Sequence, residues 1–260
     1  MPFPYERYET LAEPLTVYYP PGEEPRARQA FQAIDKASHL LEQLLGRSRP
    51  ELEILLVSIA DWSTAPHDQT EEPGPHLPYW TSATTPPCIV IPTQLAPIVG
   101  DPTPAKQNML LYHQLAYAFL ESDPRPWPDD PPLWADEWQF SFAALWLSHR
   151  LDAQQGAVMK DLEAQYAEIF VPEEDGKTPA TIRGFNWDED TPEEDYLCFD
   201  LLLERLAADV LARYDAEVLP RFLTSYRRER AILLSDDVTS MLGNALGPAG
   251  VEWLENLAYF

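Results

Sequence analysis

Cysteines, basic residues and long apolar runs are all scarce in this sequence of 260 residues. The only two cysteines, Cys88 and Cys198, lie at no metal-binding spacing, which favours reduced thiols and leaves a single disulfide open. No run approaches the roughly 20 apolar residues that span a bilayer. The N-terminus also lacks the basic start and apolar stretch of a secretory signal. We therefore predict a cytoplasmic protein without a membrane span.

The shortage of positive charge restricts the classes of partner. The chain carries 43 acidic against 18 basic residues, a formal net charge of −25. Nucleic acids and anionic membranes bind to basic surfaces, so neither is a predicted partner. High solubility is the simplest consequence of this charge, and recruitment of a basic partner is the alternative.

Apolar side chains, by contrast, are plentiful enough for a folded core. They make up 45% of the chain, and 12% of the residues are aromatic, which argues against disorder despite 27 prolines. Single hydrophobic cores stop growing at ~250–300 residues. We therefore predict one domain spanning residues 1–260.

The first hundred residues show the pattern of a small sheet with one helix. Alternating or branched apolar segments predict strands at 15–19, 52–59 and 88–91. Pro25 and Gly46 mark the two ends of a helix between the first two strands. The proline-rich stretch 63–87 is typical of a long surface loop, in which His67 and His76 are expected to be solvated.

The remainder of the chain reads as helical. Thr103 and Pro104 predict the start of one helix, and further helices are expected at 133–147, at 159–169 and from a capping box at 191–194 to about residue 214. Two or three more follow, the last beginning near Pro248. Between them, 172–190 is predicted to be an exposed acidic loop. The fold class is therefore α+β, with a sheet-containing lobe at 1–100 and a helical lobe at 101–260.

The chemically informative stretch is His113-Gln114-Leu115-Ala116-Tyr117, which lies within the apolar helix after Pro104. Residues at i and i+4 project from the same face of a helix, so His113 and Tyr117 share one face. The pattern resembles the H-E-x-x-H helix of zinc metallopeptidases. In that resemblance Gln114 stands at the position of the general-base glutamate, and Tyr117 stands at the position of the second histidine ligand.

A second motif supports this resemblance. Residues 134–138, W-A-D-E-W, are similar to the W-x-x-E-G element of gluzincin metallopeptidases, with Trp138 in place of the glycine. The strands and helix ahead of His113, and the helical segments near the C-terminus, are similar to those of gluzincins as well. The resemblance implies a zincin-like fold, with Glu137 at the position of the third zinc ligand.

Both replacements on the zinc helix oppose catalysis. Neutral glutamine cannot take a proton from water, and a general base contributes ~10²–10⁴-fold to rate. Tyrosine, with a pKa of about 10, must lose a proton at a cost before it ligates zinc. We therefore predict a catalytically inactive metallopeptidase-like protein that binds a protein or peptide, with no cofactor. An extended peptide could add to the edge of the sheet by main-chain hydrogen bonds.

Two other functions stay open. One is an atypical metal-dependent hydrolase that binds zinc through His113, Tyr117 and Glu137. The other is a structural or regulatory interaction module with an acidic surface. A calcium site at 188–195 is less favoured than a solvated charge run.

The resemblance also predicts the neighbours of these positions. Trp134, Asp136 and Trp138 are the expected cleft neighbours of the vestigial metal site. Without a metal, His113 is expected to bond to Glu137 or to a backbone carbonyl. The hydroxyl of Tyr117 is expected to bond to the same carboxylate.

Overall fold

The computed structural model describes residues 2–12, 14–68, 74–166, 181–185 and 193–260. The protein is α+β, as predicted, with its sheet in the N-terminal part and helices dominating the C-terminal part. The strands are β1 (Glu9–Leu11), β2 (Val17–Tyr19), β3 (Glu53–Val57), β4 (Tyr79–Thr81) and β5 (Cys88–Pro92). The helices are α1 (Glu24–Leu45), α2 (Pro104–Glu121), α3 (Leu133–Leu151), α4 (Lys160–Gln165), α5 (Glu193–Arg213), α6 (Val218–Tyr226), α7 (Ser235–Leu246) and α8 (Gly250–Glu255).

The five strands form one mixed sheet in the order β1-β2-β3-β5-β4. The three central strands, β2, β3 and β5, run parallel, and the two edge strands pair antiparallel with their neighbours. Every residue of β5, and all but the first of β3, is buried, as is typical of strands covered on both faces. These three central strands are the ones predicted from the sequence.

The two edge strands were missed. β4 lies inside the stretch 63–87, so the prediction of a loop throughout that stretch was wrong. With three residues each, β1 and β4 are too short to show a reliable alternation of polar and apolar residues. β4 is defined instead by its register with β5, in which Tyr79 pairs with Val90 and Thr81 with Cys88.

Both faces of the sheet are covered. α1 packs against β2 and α2, and α2 packs in turn against β4. On the opposite face, inward residues of β3 and β5 form a buried cluster with Tyr8 and Trp62, which come from the N-terminal segment and from a 3-10 turn at Ile59–Thr64. The sheet is therefore a core layer, and α2 is held against its β4 edge.

Local signals set the ends of the first two helices as predicted. α1 stops at Gly46, which adopts a left-handed conformation (φ 65°, ψ 32°) that glycine tolerates without a steric penalty. Thr103 caps α2, because its Oγ1 accepts a hydrogen bond from the backbone N–H of Lys106 at 3.3 Å. Pro104 then occupies the first turn.

The C-terminal helices pack mainly in sequential pairs. α3 packs against α5, α6 against α7, and α7 against α8. The helix predicted at 133–147 extends to Leu151, and the helix predicted at 159–169 is described as Lys160–Gln165. Most of the acidic loop at 172–190, the capping residues 191 and 192, and most of the calcium candidate at 188–195 lie outside the described residues.

Contacts divide the chain into two compact units, Met1–Ser122 and Asp123–Phe260. α2 belongs to the first unit together with the sheet, and the division falls immediately after it. The single domain with lobes at 1–100 and 101–260 stays a prediction. Across the part of the chain that is described, no helix combines the length and the hydropathy required to cross a membrane.

Candidate functional site

The three positions that the resemblance compares with a zinc-binding helix all lie on α2; they are His113, Gln114 and Tyr117. The helix buries one side through residues such as Leu115 and Phe119, which have no exposed surface. His113, Gln114 and Tyr117 are only partly buried, so they form a distinct face of the same helix. Because α2 packs against β4, this face lies next to the edge of the sheet.

The side chain of Gln114 connects the helix to this edge strand. Its Oε1 accepts a hydrogen bond from the backbone N–H of Trp80, the middle residue of β4, at 2.9 Å. Its Nε2 lies 3.4 Å from Nδ1 of His113. Because an N–H group can only donate, the bond from Trp80 identifies the amide oxygen and leaves the amide nitrogen directed at His113.

These two contacts determine the state of the His113 ring. An amide nitrogen has no acceptor capacity, so Nδ1 of His113 accepts the hydrogen bond and the ring proton is on Nε2. Burial lowers the pKa of His113 to about 4, which keeps the ring neutral at physiological pH. A metal would therefore have to displace either the Gln114 amide from Nδ1 or the proton from Nε2.

Tyr117 packs against the same strand. Its ring lies 5.6 Å from that of Trp80, centroid to centroid, at an interplanar angle of 41°. The two partly exposed aromatic rings thus bridge α2 and β4 beside the amide of Gln114. Aromatic pairs in such tilted arrangements stabilise packing by about 0.5–1.5 kcal/mol beyond the buried area.

The bond to Gln114 also changes what the sheet edge can bind. In an antiparallel pair, successive residues direct their N–H groups alternately towards the partner strand and away from it. The Trp80 N–H points away from β5, since it reaches Gln114 instead. A peptide that added to β4 would find this donor already occupied, which disfavours strand addition at the β4 edge, and the binding of a peptide stays a prediction.

Glu137, the predicted third metal-ligand position, lies on α3 in the second compact unit, whereas His113, Gln114 and Tyr117 lie in the first. The predicted bonds of Glu137 to His113 and Tyr117 therefore stay predictions. Over the ranges that the structure describes, no three His, Cys, Asp or Glu side chains are grouped so that they could hold a metal ion. The absence of a cofactor also stays a prediction.

Within the second unit, Glu137 belongs to a row of enclosed carboxyl groups that spans α3 and α5. Burial, and then the charges of Asp200 and Asp136, raise the pKa of Glu137 to about 8. Burial and the charge of Glu204 raise the pKa of Asp200 to about 7. At neutral pH a substantial fraction of these two carboxyl groups is therefore protonated.

Glu204 is held more firmly than the other two carboxyl groups. It accepts hydrogen bonds from the backbone N–H groups of Val158 and Met159. These bonds lower its pKa, but burial outweighs them and raises the pKa to about 7. Glu204 thus anchors the segment before α4 to α5.

The predicted cleft neighbours have structural contacts in the second unit. Trp134 is 2% exposed, and its Nε1 donates to Oγ of Ser235 at 2.9 Å. Trp138 is 1% exposed, and its ring packs edge to face on Phe222. The hydroxyl of Tyr226 donates to Oδ1 of Asp136 at 2.7 Å. Each of the three residues therefore contributes to the packing of the helices.

Comparison with known proteins adds no assignment: no protein-family model matches the chain, and no curated protein has a significantly similar sequence.

Sequence reasoning missed three residues that define these arrangements. Trp80 lies in the stretch predicted to be a loop, and only its pairing with β5 places it beside α2. Asp200 and Glu204 are separated by one helical turn within an otherwise apolar segment of α5. Acidic residues spaced i, i+4 on an apolar helix are a signal that could have identified the carboxyl row.

Proposed function

We propose that this protein is a catalytically inactive metallopeptidase-like protein that acts by binding a protein or peptide. The observation that carries the proposal is the side chain of Gln114, at the position that the resemblance assigns to the general base. Its amide joins the backbone of β4 to the ring of His113. A neutral group engaged in this way has no capacity to accept a proton from water.

The hydrogen bonding of His113 and the ring packing of Tyr117 also support a non-catalytic role. His113 accepts a hydrogen bond from Gln114 through Nδ1, so that ring nitrogen has no lone pair left for a metal. Tyr117 packs its ring against Trp80. Tyr117 therefore contributes directly to the attachment of α2 to the sheet edge, whereas His113 is linked to that edge only through the amide of Gln114.

The same geometry supports one mode of binding over another. Because Gln114 occupies the outward N–H of Trp80, we place recognition on side chains rather than on added main-chain hydrogen bonds. The partly exposed rings of Trp80 and Tyr117 offer apolar faces of the kind that dominate binding energy at protein interfaces. The partner in this proposal presents an apolar or aromatic side chain to this pair.

The binding role is tested with a random peptide library displayed on phage and selected on the intact protein. A selected peptide is then titrated against the parent, Trp80→Ala and Tyr117→Ala. We expect each substitution to weaken binding by at least about tenfold, as hot-spot aromatic residues do. Tyr5→Ala is the matched control, because Tyr5 is an exposed aromatic residue of the same unit at 38% exposure. Equal affinity across all four proteins, or failure to select any peptide, would contradict the proposal.

Metal content tests the catalytic half of the proposal. The protein purified without chelator should contain no stoichiometric zinc, and chelator should leave its melting temperature unchanged. Elemental analysis and thermal unfolding measure these two quantities. One zinc per chain, removable with a loss of stability, would instead support the hydrolase that uses His113, Tyr117 and Glu137.

A further inference from the structure

A small cavity opens between α1 and α2 at the carboxyl end of β5. Ala30 of α1, Ile91 of β5 and Leu111 of α2 line it, and all three residues are buried. The three elements belong to the first compact unit, in which α1 packs against α2. Neither Trp80 nor Tyr117 lines the cavity. It is therefore separate from the aromatic pair proposed above for binding.

The size of the cavity limits what can enter it. It encloses about 40 Å³. An apolar cavity of about 150 Å³ holds benzene, so this one has room for a group of only one or two carbon atoms. Its buried walls are apolar, and the transfer of alkyl carbons from water to such walls is favourable. The enclosed part thus suits a short alkyl group.

Polar side chains surround this apolar interior. Residues at i, i+3 and i+4 share one face of a helix, and Arg26, Gln29 and Ala30 of α1 all line the cavity in this way. On α2, Gln107 lines it one turn before Leu111. Among the described residues that line the cavity none is acidic, although the chain contains 43 acidic residues. The charged group of the lining is therefore the guanidinium of Arg26.

The hydrogen bonds of Arg26 leave one edge of its guanidinium for a ligand. Its Nη1 donates to the carbonyl oxygen of Thr93 and lies 3.8 Å from Oε2 of Glu23. These are the polar contacts that Arg26 makes with the described residues, so the N–H groups of Nε and Nη2 stay available. Those two nitrogens form the edge that can bind both oxygens of a carboxylate. The side chains of Arg26 and Glu23 are both 38% exposed, and an ion pair in contact with water contributes little.

We propose that this cavity binds a short-chain carboxylate. Its alkyl group of one or two carbons lies between Ala30 and Leu111, and its two oxygens accept from Nε and Nη2 of Arg26. A free acid such as propionate has this chemistry, and so does the C-terminal alanine of a peptide. A cationic ligand would be repelled by Arg26, and a neutral amide would offer one acceptor oxygen where the edge requires two.

The net charge of −25 opposes any anion at long range. Screening at about 0.15 M salt confines that repulsion to about 8 Å, so the charge of Arg26 dominates at the cavity. A ligand of five non-hydrogen atoms also makes few contacts. The dissociation constant of propionate should therefore lie in the millimolar range.

Nuclear magnetic resonance tests the ligand class on the full-length protein at about 0.15 M salt. Titration with sodium propionate should shift the amide signals of Ala30 and Leu111 in a saturable way. Propionamide, which has the same shape without the charge, should bind at least about tenfold more weakly. Benzoate, which is too large for the cavity, should also bind at least about tenfold more weakly. No saturable shift with propionate, or equal affinity for propionate and propionamide, would overturn the proposal.

Two substitutions on α1 test the role of the guanidinium. Arg26→Gln should weaken propionate binding at least about tenfold while the melting temperature shows that the variant is folded. Arg28→Gln is the matched control, because Arg28 is an exposed arginine of the same helix that pairs with Glu24 and does not line the cavity. Equal affinity of Arg26→Gln and the parent would contradict the assigned edge.

A peptide distinguishes the two sources of the carboxylate. The tripeptide Gly-Gly-Ala and its C-terminal amide are titrated against the parent and Arg26→Gln in the same way. Binding of the free tripeptide that is tighter than that of propionate, and that is lost on amidation, assigns the cavity to a chain terminus. Binding of propionate without the tripeptide assigns it to a free acid. Either result supports the site, whereas tripeptide binding that survives both amidation and Arg26→Gln would count against it.

Discussion

One amide side chain, that of Gln114, performs two structural tasks on α2. It accepts from the Trp80 backbone and donates to the ring of His113. A glutamate at this position could still accept from Trp80, but it could not donate to His113 unless it were protonated. The identity of residue 114 therefore affects the hydrogen bonding of the His113 ring more than it affects the attachment of β4 to α2.

Placing glutamate at 114 and histidine at 117, as in the H-E-x-x-H pattern that the sequence resembles, tests whether this face of α2 can hold zinc. The double variant Gln114→Glu with Tyr117→His should fold, because the acceptor for the Trp80 N–H is kept. It should bind zinc at least about tenfold more tightly than the parent, because a second imidazole is added one turn from His113 and the Nδ1 lone pair is released. Calorimetric titration with zinc at neutral pH measures the difference, with Gln114→Glu alone as the control. No gain in affinity would mean that the packing around this face of α2 leaves no place for a metal ion.

The carboxyl group of Asp200 should make stability depend on pH. Its pKa is raised from 3.8 to about 7 by burial and by Glu204, so the folded state holds a proton that the unfolded state releases. Stability contributed by this group is therefore lost as pH rises from about 4 to about 7. Asp200→Asn removes that loss and should stabilise the protein at pH 8 by on the order of 1–3 kcal/mol.

Urea unfolding of Asp200→Asn and the parent at several pH values measures this gain. The gain should grow through the window from pH 4 to pH 7 and level off above it. Asp195→Asn, at an exposed position of the same helix, is the control. A gain that is independent of pH would show that Asp200 is ionised in the folded protein.

At the scale of elements, α7 and α8 meet through two glycines. A Cβ atom added to Gly243 would lie 2.7 Å from the backbone nitrogen of Val251 and 2.8 Å from its Cα. A Cβ atom added to Gly250 would collide with the carbonyl oxygen of Gly243 and lie 2.8 Å from Cβ of Leu246. The close approach of these helices therefore requires the absence of side chains at both positions.

Gly243→Ala should separate the two helices. Alanine in a helix interior normally adds about 1 kcal/mol of stability over glycine. Here the clash with the backbone of α8 should reverse that sign and destabilise the protein by about 1–3 kcal/mol. The free energy of unfolding in urea measures the effect, and Gly74→Ala is the control, because a Cβ atom there meets nothing within 4 Å. A stabilised Gly243→Ala variant would contradict the packing of α7 on α8.

The edge strands depend on pairing more than on their own residues. β4 contains three residues and lies in a proline-rich stretch, yet it forms because β5 and Gln114 bind its backbone from opposite sides. β5 is the next element along the chain, whereas Gln114 lies 34 residues from Trp80. Strands of this length carry too few residues for their pattern alone to distinguish them from a loop.

At the scale of the whole molecule, the net charge of −25 is the dominant electrostatic feature. Such a charge keeps a protein soluble, but it also destabilises the compact state through self-repulsion. Enclosed carboxyl groups such as Glu137 and Asp200 reduce that repulsion when they hold their protons. The charge of the folded protein at neutral pH should therefore be less negative than the formal value.

Screening this repulsion should stabilise the protein. We expect the melting temperature to rise as sodium chloride increases from about 0.01 M to about 0.5 M, since the Debye length falls from about 30 Å to a few ångströms. Differential scanning calorimetry measures the shift, and sucrose at matched osmolality controls for general solvent effects. A melting temperature that falls with salt would show that attractive ion pairs outweigh the repulsion.

The sequence by itself determined the features that depend on neighbouring residues. Gly46 ends α1, Thr103 and Pro104 begin α2, and the branched apolar runs form the central strands. Each of these signals acts through backbone conformation or burial within a few residues. The fold class followed from them because the strand patterns all precede the main helical patterns.

Only the tertiary structure decided which groups meet. Gln114 and Trp80 are 34 residues apart, and their bond exists because α2 packs on the β4 edge. The charge of Asp200 acts on Glu137 because α5 packs on α3. Contacts of this kind depend on the position of whole elements, whereas local patterns report the conformation of each element alone. For that reason the sequence placed His113 and Glu137 on helices but left their chemical states to be decided by the fold.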